Sequence, residues 1–112
     1  MRITRDARVR GILSIEIEIL TGDASWPTAK PLLHAVWPPD EVAKLPWAHT
    51  VFAHADLRIL VEDSEGLACH VGIYWRDATW NGRKVRIGGI GGVATRADCR
   101  RRGYASIALN AA

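Results

Sequence analysis

From Ser14 to Ile19 apolar and polar residues alternate without a break: Ile15, Ile17 and Ile19 fall on one face, and Ser14, Glu16 and Glu18 on the other. Period two built from β-branched residues predicts a half-buried strand with its glutamates facing solvent. Thr21-Gly22-Asp23 breaks the pattern. Between Trp26 and Trp37, Leu32, Leu33, Val36 and Trp37 share one side, which predicts a helix capped by Asp23 or Ser25. Pro27 and Pro31 suit such a helix only near its first turn, and Pro38-Pro39 stops it. Asp40–Leu45 predicts one more short helix. The polar, basic stretch Met1–Arg10 predicts a loosely held start.

Alternation returns after His49–Ala55. Leu57, Ile59 and Val61 alternate with Arg58 and Glu62, and Asp63-Ser64-Glu65-Gly66 makes a turn. Leu67, Cys69, Val71, Ile73 and Trp75 then alternate with Ala68, His70, Gly72, Tyr74 and Arg76. Asn81-Gly82 is a hairpin signal, because a type I′ turn needs φ > 0 at both central residues. Val85–Thr95 is the returning strand, which completes a three-strand antiparallel meander from Leu57 to Thr95. Gly103–Ala112 predicts a helix with Tyr104, Ile107, Ala108 and Ala111 on one face.

Length and composition narrow the class. A chain of 112 residues, 48% hydrophobic and 24% charged, is one soluble globular domain spanning residues 1–112 with one modest core. The net charge of +3 suits an anionic ligand without demanding nucleic acid, and the excess gathers in Arg2–Arg10 and Arg96–Arg102. Cys69 and Cys99 are too few and too far apart for a disulfide framework or a zinc site, so both read as buried or idle thiols. No apolar run approaches the ~20 residues of a membrane span, and no secretory signal follows Met1, so no membrane partner and a cytoplasmic location are expected.

The chemistry concentrates in Gly89–Ala105, which reads GIGGVATRADCRRRGYA in the order strand, turn, helix. Arg100-Arg101-Arg102-Gly103 winds the chain so that successive backbone N–H groups point into one concavity at a helix N-terminus. Those groups, the positive end of the helix dipole and the flanking arginines make a phosphate site. Gly103 permits close backbone approach, and Ala105 is too small to block a bulky anion.

In these residues the chain resembles the GNAT superfamily of acetyl-CoA-dependent N-acetyltransferases. The family pattern Arg/Gln-x-x-Gly-x-Gly/Ala stands here as Arg100-x-x-Gly103-x-Ala105, preceded by Val93-Ala94-Thr95 on the strand. The resemblance runs from about residue 14 to 112. It implies an α+β fold: a mixed sheet containing an antiparallel meander, with flanking helices. It also implies acetyl-CoA as cofactor, with the pyrophosphate held by main-chain groups of Arg101, Arg102, Gly103, Tyr104, Ala105 and Ser106 beside Arg100. Val93 and Thr95 would pair with the pantetheine arm. An N–H near Val93–Ala94 would polarise the thioester while a small-molecule primary amine attacks it directly and the thiolate leaves.

Trp47-x-His49-Thr50 and Val93-Ala94-x-Arg96-Ala97-Asp98-x-Arg100 resemble the aminoglycoside 2′-N-acetyltransferase-like branch. Where that branch carries a glutamate thought to act as general base, this chain has Gly91, so no catalytic residue is carried over. A non-catalytic coenzyme A-binding module and a structural remnant therefore stand beside the enzyme reading. Gly88, Gly89, Gly91 and Gly92 mark a bulge, a ligand approach, or both. His34, His49, His54 and His70 lack metal-ligand spacing and read as surface or core residues, with acid–base work at His54 or His70 as the sharper alternative. Trp37 and Trp75 are expected in the core, and Trp26, Trp47 and Trp80 at a cleft or subunit contact. In the superfamily a further strand and helix follow this point, and the helix supplies a tyrosine acid. The sequence ends at Ala112, so the fold is expected to be truncated after the coenzyme A-binding helix, with an open sheet edge. Self-association into a homo-oligomer or another polypeptide would cover that edge, or else the chain is a truncated product with weak or no turnover.

Overall fold

The computed structural model describes residues 3–9, 13–46 and 54–112. Its elements are β1 (Ile3–Val9), β2 (Leu13–Thr21), α1 (Gly22–Val36), α2 (Pro39–Val42), β3 (Leu57–Asp63), β4 (Gly66–Trp80), β5 (Arg83–Thr95), a 3-10 turn (Ala97–Cys99) and α3 (Tyr104–Ala111). The five strands form one sheet in chain order, and each pairs antiparallel with its neighbour. This is the α+β meander with flanking helices that the alternation predicts; the parallel component of a mixed sheet is not among the described pairings.

The start of the chain departs from expectation. Ile3–Val9 is not loosely held but pairs with β2, from Ile3 opposite Ile19 to Val9 opposite Leu13. Ladder bonds come from the backbone, so a charged stretch can serve as a strand.

Helix α1 begins four residues before Trp26, directly from β2. The Gly22 N–H bonds to the Asp56 carbonyl at 2.9 Å, and a Cβ at Gly22 would run into the Ala55 carbonyl. Neither Asp23 nor Ser25 caps it: both lie inside, and the Ser25 hydroxyl donates to the Gly22 carbonyl at 3.1 Å. Pro27 and Pro31 are likewise interior, not first-turn, residues. Both are exposed, so water reaches the carbonyls whose bonds they forgo. Helix α2 spans Pro39–Val42, starting one residue before and ending three residues short of the expected Asp40–Leu45.

The helices cover opposite faces of the sheet. Helix α3 buries Tyr104 and Ala108 against Ile15, Ile17, Ile59, Val61, Val71 and Ile73. Helix α1 buries Ala29, Leu32 and Leu33 against Leu60 and Ala94. Residues Ala68–Tyr74 are therefore buried without interruption, and period two no longer separates inside from outside. The same cover explains Glu18, which is only 4% exposed and not on a solvent face. Beyond Tyr74 the β4–β5 hairpin outruns both helices, and the molecule extends 51 Å along its longest axis. Trp75, expected in the core, lies on this arm and is 42% exposed; Trp37 is half-buried, and Trp80 is exposed. Trp47 and His49 lie outside the described residues. At the hairpin tip Asn81 and Gly82 adopt φ of 48° and 77°, as a type I′ turn requires.

Leu33→Ala should cost about 2–5 kcal/mol in urea unfolding, whereas Trp80→Ala should change stability by about 0.5 kcal/mol or less. Equal losses would contradict the division between covered sheet and bare arm.

Candidate functional site

The turn between β5 and α3 is built by one arginine. Arg96 donates from Nη2 to Asp63 at 2.7 Å and from Nε to Asp98 at 2.6 Å, and its N–H bonds to the Ala68 carbonyl at 2.7 Å. Two carboxylates and a strand carbonyl thus hold the chain where it leaves the sheet. Hydrogen bonds donated to Asp98 and then to Asp63 raise the Arg96 guanidinium above its ordinary range. Burial pushes Asp63 up, but the bond from Arg96 and further contacts hold it below the usual carboxylate value. Arg96 belongs to the fold rather than to the exposed arginine run Arg100–Arg102.

Past Cys99 the chain turns through two left-handed residues, Arg101 at φ 64° and Gly103 at φ 82°, before α3 starts. Among the described residues no backbone acceptor takes the N–H groups of Arg102 through Ser106; the first such bond runs from Ile107 to the Gly103 carbonyl, at 3.1 Å. They are the orphan donors of a helix N-terminus, collected in one turn. No atom lies within 4 Å of where a Gly103 Cβ would stand, so the approach is open. Arg100, Arg101 and Arg102 are exposed around it. Positive charge and free donors converge on one spot, which is what an anion such as pyrophosphate requires.

The edge strand β5 leads to this turn. Arg96 bonds toward β4, so strand alternation directs the Ala94 main chain to β4 and those of Val93 and Thr95 to the unpaired edge. The register shifts between His70 and Gly72, where Gly92 and Val93 lie opposite Val71 alone. This is a β-bulge, with Gly92 at φ 60°.

Beneath α1 a buried polar group adjoins the bulge. His70 and Arg58 are both fully buried. Arg58 places Nη1 2.8 Å from His70 Nε2 and Nε 3.2 Å from the Gly22 carbonyl, with its guanidinium 5.1 Å from the Trp26 ring. Arginine can only donate, so Nε2 accepts; Nδ1 carries the proton and donates to the Gly92 carbonyl at 2.6 Å. Burial is the main cause that lowers His70 to about 4, with nearby Arg58 adding to it. The imidazole is neutral at physiological pH and has no open side.

The family model for the acetyltransferase (GNAT) domain matches residues 15–111. The chain belongs to the GNAT acetyltransferase family. Comparison with curated proteins gives no match.

In this GNAT domain the expected site residues fall into two groups. The exposed edge of Val93 and the turn from Arg100 to Ser106 lie along one continuous path. Ala94 and Tyr104 are buried; the Ala94 main chain is turned to β4, whereas the Tyr104 N–H is among the donors that open α3. The Thr95 carbonyl takes a 3.4 Å bond from Arg100 Nε, and its hydroxyl donates to Cys69 at 3.5 Å. Cys69 and Cys99 are both buried free thiols, as expected, and burial pushes Cys99 up to about 11. His70 is closed to acid–base work, and His54 is exposed. Among the described residues no His, Cys, Asp or Glu cluster could hold a metal, and no helix is long and apolar enough to cross a membrane. The partnership of Arg58 and His70 escaped the sequence reading; both sit on the face opposite the Ile/Val positions, where α1 covers them.

A histidine lowered in the folded state leaves the unfolded chain binding the extra proton, so stability must fall as pH drops from 6.5 towards 4. The loss should reach roughly 3 kcal/mol at most. Urea midpoints measured across that window should decline in the wild type and flatten in His70→Asn. A flat wild-type profile would contradict the buried neutral imidazole.

Proposed function

We propose that this domain binds acetyl-CoA and transfers the acetyl group to a primary amine of a small molecule. The observation that carries the reading is the row of unpartnered N–H groups from Arg102 to Ser106, opened by left-handed Arg101 and Gly103 at the end of an edge strand. Acetyl-CoA brings an acetyl group already activated as a thioester. The α3 N-terminus and Arg100–Arg102 would hold the pyrophosphate, through orphan donors and charge. The free edge at Val93 would take the pantetheine arm as an added strand, and the Val93 N–H would stabilise negative charge developing on the thioester oxygen.

A cleft of about 330 Å³ lined by Thr21, Gly22, Asp23, His54, Ala55 and Asp56 supports a cationic acceptor through Asp23; Asp56 already accepts from the Trp75 N–H at 2.7 Å and pairs with Arg76. The branch resemblance suggests an aminoglycoside-like amine. Gly91 leaves the strand without the carboxylate of that branch, so catalysis on this reading rests on positioning and on Val93.

Calorimetric titration with coenzyme A should show binding by the wild type. Gly103→Val should abolish most of it, because a β-branched residue is strained at φ 82° and fills the approach. Arg100→Ala should weaken it by about 1–2 kcal/mol. Wild-type affinity in both variants would overturn the assignment of the turn. Turnover across an amine panel that includes an aminoglycoside separates the enzyme from a coenzyme A-binding module.

A further inference from the structure

The bulge in β5 leaves one peptide unit outside the ladder, and a side chain holds it. The Gly92 carbonyl, at the bulge, accepts from His70 Nδ1 at 2.6 Å. No described peptide bond is cis, so within this unit the Val93 N–H points opposite to the Gly92 carbonyl. With the carbonyl drawn to the imidazole, that N–H is directed away from it, and the alternation that turns Ala94 to β4 leaves Val93 at the unpaired edge of the sheet. The imidazole cannot rotate to release the carbonyl, because Arg58 claims its other nitrogen at 2.8 Å and is itself held by the Gly22 carbonyl. Gly92 supplies the φ of 60° that the arrangement needs.

We propose that His70, oriented by Arg58, is a positioning residue that aims the Val93 N–H at the carbonyl oxygen of the acetyl donor. The inference rests on the acetyl-transfer reading above. It gives the Arg58–His70 pair a role beyond filling the sheet–α1 interface. An isolated bulge peptide has neighbouring orientations within thermal reach, and a donor that must meet a developing charge gains most when its direction is set beforehand. The neutral state of His70 suits the task, since its single proton stays on Nδ1. Neither His70 nor Arg58 touches the reacting atoms.

The test compares two nearly isosteric variants. His70→Asn keeps an N–H donor near the position of Nδ1, while His70→Asp replaces it with an acceptor that repels the Gly92 carbonyl; each retains an oxygen for Arg58, so both should fold. The readout is the Val93 amide resonance of ¹⁵N-labelled protein saturated with coenzyme A and then with acetyl-CoA. In the wild type and His70→Asn the proton should move downfield when the acetyl group is present. In His70→Asp that difference should vanish while coenzyme A affinity stays within about two-fold, since the pyrophosphate turn is untouched. With an amine that supports turnover, kcat of His70→Asp should fall roughly 10–100-fold at unchanged KM for acetyl-CoA, with His70→Asn near wild type. A Val93 difference that persists in His70→Asp, or that is absent from a wild type binding both ligands, overturns this proposal alone. Failure of the wild type to bind either ligand overturns the acetyl-transfer reading and this proposal with it.

Discussion

A guanidinium and an imidazole buried between the sheet and α1 tie together parts of the chain that would otherwise be independent. Arg58 fastens the first turn of α1 through the Gly22 carbonyl, and through His70 it reaches the bulge of β5. Taking a cation out of water is costly unless its donors are satisfied, so both partners must be present for the interface to close. Burial lowers the Arg58 guanidinium, while Tyr74 and Asp23 act in the opposite direction. The Trp26 ring packs over the same charge. The interface that covers one face of the sheet and the shape of the edge strand are set by one hydrogen-bonded chain.

The second clamp acts from the other end of β5. Arg96 binds Asp63 at the β3–β4 turn and Asp98 in the 3-10 turn, so the exit from the sheet is held from both sides. Between the two clamps lies a short length of edge strand, Val93–Thr95, whose odd-numbered main chains turn away from β4, the Thr95 carbonyl accepting from Arg100 Nε. After the second clamp come the left-handed residues and the open helix end. The turn that opens α3 and the strand edge are thus fixed by side chains that do not belong to either.

Much of this was legible in the sequence, and what was not has a physical reason. The meander followed from alternation between Leu57 and Thr95, and the hairpin tip from Asn81-Gly82, because both signals are local. The family was legible for the same reason: Arg100, Gly103 and Ala105, the residues that carry the resemblance, lie within one turn of chain. Glu18, Arg58 and His70 read as polar positions of half-buried strands, and period two cannot say whether the second face of a sheet is also covered. Trp75 read as core because its alternation continues past the point where the helices end. Arg96 read only as part of the basic stretch Arg96–Arg102, since its partner Asp63 lies 33 residues away. The pairing of Ile3–Val9 with β2 is a backbone event that a charged pattern does not announce.

The central claim is that the N–H groups opening α3 are the anchor for the nucleotide. Amide hydrogen exchange resolved to single residues, with and without coenzyme A, addresses it directly. The account predicts marked slowing at Arg102 through Ser106 and at Val93, which the ligand would engage, with little change along the exposed hairpin arm. Protection confined to the arm or to α1, with Arg102–Ser106 still exchanging freely, would contradict it.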